Sequence, residues 1–165
     1  MRLTGVFFFV LTELMLAMTL SRYSNSQAHG EIQKESCGNV DSISVVPYRL
    51  VRQWRTDVQP MPVLFVSVKR GDIKRESIIA LGCHVGEKYS SENALDLYIL
   101  DNEHAAQIYS PAHEGNSGET ERSLRAVYEF SREKDQQWLD WRSDADHPSK
   151  WTHIDLGKAP MARKR

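Results

Sequence analysis

The sequence predicts an α+β domain: a mixed β-sheet in the order β-β-α-β-α-β-β, with two helices packed on one face. Three observations carry this expectation. Residues 63–68 (VLFVSV) and 95–100 (LDLYIL) are compact apolar runs of strand length, separated by a stretch of helical period. That pattern is a parallel strand–helix–strand unit with a right-handed crossover. Residues 124–131 alternate apolar and polar, and a polar turn at 132–136 returns the chain through 137–142 as a hairpin partner. Residues 43–54 add β-branched and aromatic side chains ahead of the first run, so hairpins stand at both ends and the sheet is mixed.

Taken in order, residues 29–39 are polar and read as an irregular arm. In the strand at 43–54, Pro47 lacks an N–H to donate and requires a bulge or an edge position. Gln59-Pro60-Met61-Pro62 ends that unit before the VLFVSV strand. Asp72 has the side chain of a helix cap, and beyond it Ile78, Leu81, Gly82, Val85 and Tyr89 fall on one helix face. Gly82 and Gly86 weaken that helix by about 1 kcal/mol each relative to alanine, and a strand over 77–83 is the competing reading. Asp101 or Asn102 caps a second, short helix carrying Ala105, Ala106, Ile108 and Tyr109, which Pro111 stops. Residues 111–121 (PAHEGNSGETE) are loop by composition. In the hairpin, Leu124, Ala126, Tyr128 and Phe130 share one side, opposite Arg125, Val127, Glu129 and Ser131. Residues 151–156 add a last edge strand before Gly157.

Residues 1–28 read as an export signal. Arg2 begins it, 6–20 is apolar apart from Glu13, and Ser26-Gln27-Ala28 has small residues where a signal peptidase cuts. An uncleaved anchor is the alternative, but spanning a bilayer takes about 20 mostly apolar residues. The expected layout is a signal at 1–28, an arm at 29–42, one α+β domain at 43–157 and a basic tail at 158–165, in a secreted or periplasmic protein. The whole chain carries 21 basic and 22 acidic residues. That near balance argues against a general nucleic-acid or anionic-membrane binder, and no stable membrane insertion is expected after cleavage. The two cysteines, Cys37 and Cys83, form one disulfide in such a compartment. By chain entropy it stabilises by about 3–4 kcal/mol. Two buried thiols are the alternative.

Motif chemistry is sparse. A cut after Ala28 leaves His29 at the N-terminus, where the α-amine and ring Nδ1 together suit Cu(II). The start His29-Gly30 resembles that of lytic polysaccharide monooxygenases, which implies a copper cofactor. The resemblance covers two residues, and the mixed α+β pattern departs from the β-sandwich of those enzymes. No spacing selects a second ligand among His84, His104, His113, His147 and His153. The cluster His104, His113, Glu114, Glu119 and Glu121 lacks the helical two-histidine spacing of zinc hydrolases and reads as solvated loop. Gly115-Asn-Ser-Gly118 has neither the length nor the partners of a serine-protease loop, and no nucleophile elbow or phosphate loop occurs.

Glu129 and Asp140 stand on opposite strands of the hairpin. Facing each other, they are a carboxylate pair fit for acid–base work. Interleaved Arg125, Arg132 and Arg142 instead suggest surface ion pairs. The densest feature is aromatic: Tyr128, Phe130, Trp138, Trp141 and Trp151, with Trp138 and Trp141 on opposite faces of their strand. The leading expectation is therefore a non-enzymatic binding module that uses the hairpin 124–142 toward a protein or carbohydrate partner. Copper at His29 is the alternative.

Overall fold

Burial on both faces explains why residues 63–68 carry no polar alternation. In the computed structural model, which describes residues 33–39, 44–55, 61–112, 116–143 and 150–161, this run is β3 (Pro62–Val68), and all but Ser67 of it is buried. It lies beside β4 (Ala94–Leu100) in parallel register, Val63 opposite Asp96 and Phe65 opposite Tyr98. The crossover between them is α1 (Arg75–Lys88). β2 (Tyr48–Arg55) pairs antiparallel with β3, and a register shift between Leu50 and Arg52 marks a bulge. Pro47 sits just outside β2, where the missing N–H costs no ladder bond.

β5 (Leu124–Ser131) runs antiparallel to β4, β6 (Gln136–Trp141) pairs with β5 through the tight turn at 132–135, and β7 (Thr152–Gly157) pairs with β6. β7 is not the outermost strand. A two-residue strand in the arm, β1 (Gln33–Lys34), pairs parallel with it at Ile154 and Asp155. The sheet order is β1-β7-β6-β5-β4-β3-β2. The expected α+β class and mixed sheet are borne out.

Among the described residues three helices pack on the sheet, and they divide between its faces rather than sharing one. α1 covers the face that carries Leu64, Val66, Leu95, Leu97, Tyr128, Phe130, Leu139 and Ile154. α2 (Glu103–Ile108) packs by Ala105 and Ala106 on the opposite face, against Val63 and Phe65. The alternation of β3 sends odd residues to one side and even residues to the other, so two cores form. Of the two expected caps, Asp101 and Asn102, it is Asn102 that caps α2, its side chain accepting from the Ala105 N–H at 3.1 Å. Asp72 caps nothing: its N–H closes a short 3-10 turn on Lys69, and α1 begins at Arg75 after an extended Lys74.

The segment read as loop at 111–121 contains the start of α3 (Gly118–Ser123), capped by the Ser117 hydroxyl on the Thr120 N–H. Ser117 followed by Glu119 and Glu121 was the available signal: a cap residue with acids in the first turn, favoured by the helix dipole. In α1, Gly82 and Gly86 permit the close approach of Tyr128. A Cβ on Gly86 would stand 2.0 Å from the Tyr128 hydroxyl oxygen. That hydroxyl donates to Gln137 Oε1 at 2.8 Å inside the core. Cys37 and Cys83 are bridged, with Cα atoms 5.6 Å apart, and tie the arm to α1. No described helix is long and apolar enough to cross a membrane.

Candidate functional site

The aromatic hairpin does not form a single platform. Tyr128, Phe130 and Trp141 point into the α1-side core and are 0%, 1% and 7% exposed, so they offer no docking surface. Alternation does separate Trp138 from Trp141, and Trp138 is half-buried on the opposite face. Trp151 is also half-buried, packed at the edge of the second core with the Arg142 guanidinium 5.0 Å from its ring. His29 lies outside the described residues, as do the signal at 1–28, His113 and His147. Among the described residues no group of three or more His, Cys, Asp or Glu is arranged to hold a metal.

The opposite face of the sheet brings together residues that the strand patterns hinted at only in pairs. Register places Trp54, Val63, Asp96, Glu129, Trp138 and Asp155 in one row across six strands. Directly paired side chains stand about 5 Å apart at Cβ, so Asp96 and Glu129 are immediate neighbours. The next row carries Phe65, Tyr98, Val127, Asp140 and His153. Phe65 and Tyr98 stack at 5.0 Å, and His153 Nδ1 lies 2.8 Å from Asp140 Oδ1. Glu129 and Asp140 are diagonal neighbours, about 7 Å apart by sheet geometry. The hairpin therefore does bring its two acids to one face.

The arginines do not neutralise them. Arg125 donates to the Ser143 carbonyl and reaches Asp101 Oδ2 at 3.5 Å. Arg132 donates to the carbonyls of Ser90, Glu92 and Pro160, and Arg142 to those of Glu121 and Leu124. Arg142 is 1% exposed, a buried clamp between α3 and the hairpin, and burial lowers its pKa. In place of surface ion pairs with Glu129 and Asp140, these guanidiniums serve backbone carbonyls in the turns and helix end around the hairpin.

Among the described residues Asp96 and Glu129 make no hydrogen bond or ion pair. Their electrostatics follow. Burial alone pushes the Asp96 carboxyl up to about 6. Burial, then the charges of Asp96 and Asp140, push Glu129 up to about 8, with Lys134 pulling the other way. Lys134 also holds its ammonium 5.9 Å from the Trp138 ring centroid. The face thus concentrates carboxyl groups that little inside the protein helps to ionise, between two tryptophans. Asp96 gave no sequence signal of its own, because its partner across the sheet lies 33 residues away in the chain, at Glu129.

No protein-family model matches this chain, and neither a curated protein nor a solved structure matches it.

Proposed function

We propose that this protein is a non-catalytic binding module of an oxidising, extracytoplasmic compartment, and that it takes a cationic ligand on the Asp96–Glu129–Trp138 face. The ligand class is a primary amine or guanidinium, free or on a partner's side chain. One observation carries the reading: two adjacent carboxylates without a hydrogen-bonding or ionic partner, on a row bracketed by Trp54 and Trp138. A bound cation supplies the missing countercharge and lowers the cost of ionising both groups. The rings supply flat apolar walls and attract cations electrostatically. Lys134 above Trp138 is a contact of the same chemistry made within the chain. The disulfide supports the compartment, since such bonds persist where the surroundings are oxidising.

The test is a titration of the disulfide-intact protein with spermidine, following the Trp138 indole N–H by NMR, with cellohexaose as the sugar probe. Spermidine is expected to move that resonance, more tightly at pH 8.5 than at pH 6, because ionisation of Glu129 adds charge over that interval. Asp96→Asn and Glu129→Gln are each expected to weaken binding several-fold. A response to cellohexaose without one to spermidine, or spermidine affinity indifferent to pH and to both variants, overturns the reading.

A further inference from the structure

Among the described residues, little besides one covalent bond holds residues 33–39 of the arm to the domain. β1 pairs with β7 through only Gln33 and Lys34. The Glu35 N–H adds one bond to the Asp155 carbonyl at 2.9 Å, and Arg75 grips Glu35 and the Gln33 side chain. Among the described residues the buried apolar core begins at Val46, so the arm adds no fully buried apolar side chain. Ordering residues 33–39 costs more backbone entropy than two strand pairs and a partly exposed ion pair return. The bridge from Cys37 to Cys83 makes up the difference by holding the arm at high effective concentration against β7.

That bridge is approachable in the folded protein. A cavity of about 150 Å³ opens beside it, lined by Cys37, Cys83, Glu87, Ser90, Gln137 and Pro160. Cys83 is 7% exposed in the side of α1, whereas Cys37 is only partly buried, so an incoming thiolate meets Cys37 first.

We propose that the Cys37–Cys83 disulfide is a redox latch: a dithiol reductant opens it in the native protein, releases residues 33–39 and uncovers the outer edge of β7, while the remaining sheet stays folded. The reductant's thiolate attacks Cys37 Sγ, forming a mixed disulfide and expelling the Cys83 thiolate, which takes up a proton. The reductant's second thiol then displaces Cys37 and closes its own disulfide. The protein gains two electrons and two protons as two thiols, and the reductant loses the same. Release frees the outer backbone groups of Ile154 and Asp155, the two β7 residues that pair with β1.

The experiment treats the full chain with dithiothreitol in native buffer, counts thiols, and follows amide hydrogen exchange. Two thiols are expected without denaturant, with exchange at 33–39 accelerated about tenfold or more and exchange across β3 and β4 unchanged. The double variant Cys37→Ser/Cys83→Ser is expected to show the same released arm on the same protected sheet without reductant. Thiols that appear only after unfolding overturn the latch. So does an arm still protected once both thiols are present. Exchange that accelerates equally in β3 and β4, or a double variant without a protected sheet, makes the bond a structural staple instead and also overturns it.

Discussion

Replacing Glu129 by glutamine is expected to stabilise the protein, and to do so only where the carboxyl would ionise. In the unfolded chain Glu129 releases its proton near 4.5, and in the folded chain at about 8. Between those values the folded state binds more protons than the unfolded one, so the sign is fixed: stability falls as pH rises through the window. The slope is about 1.4 kcal/mol per pH unit, which amounts to roughly 3 kcal/mol by pH 7 and roughly 5 above pH 8. Asp96, raised from 3.8 to about 6, adds a loss of the same sign at lower pH. Glutamine keeps the shape without the charge. Glu129→Gln should therefore match the wild type at pH 4.5 and exceed it by about 2–3 kcal/mol at pH 8.5, after allowance for the half-exposed setting. Denaturant unfolding followed by far-UV circular dichroism at pH 4.5, 6, 7 and 8.5 measures this. A wild-type profile that is flat from pH 5 to 8, or a variant no more stable at pH 8.5, refutes the reasoning.

The remaining expectations are narrower. Gly86→Ala improves helix propensity by about 1 kcal/mol on paper, yet its Cβ meets the Tyr128 hydroxyl at 2.0 Å. It should destabilise by about 2 kcal/mol or more, and a thermal scan showing a gain would refute the contact. Arg142→Met should cost about 3 kcal/mol, because the carbonyls of Glu121 and Leu124 lose their charged donor; denaturant unfolding reads the loss. Asn102→Ala removes the cap of α2 and should cost about 1 kcal/mol in the same assay, with α1 unaffected by amide exchange.

The local elements were legible because they are written in short-range code. The apolar runs of β3 and β4, the helical face of Ile78, Leu81 and Val85, the Asn102 cap and the alternation of β5 are all contained within one element each. The cysteine pair was legible too, since two cysteines allow one bridge. Placement was less so. Nothing within Ala105 or Ala106 says which side of the sheet α2 will cover, and β1 is two residues long, below any periodicity. The site divided in the same way. The sequence put Glu129 and Asp140 on the two strands of a hairpin without fixing their register, and only the pairing of β5 with β6, and of β4 with β5, brought them and Asp96 to one face.

By itself, then, the sequence determined the α+β class, the hairpins, the disulfide partners and the opposite orientation of Trp138 and Trp141. Tertiary structure alone decided that Tyr128, Phe130 and Trp141 are core, that Gly82 and Gly86 make room for Tyr128, and that Asp96 and Glu129 stand side by side without a hydrogen-bonding or ionic partner among the described residues. The reason is physical. Periodicity reports which side a residue faces within its own strand or helix, whereas burial and pKa depend on neighbours brought in from distant parts of the chain.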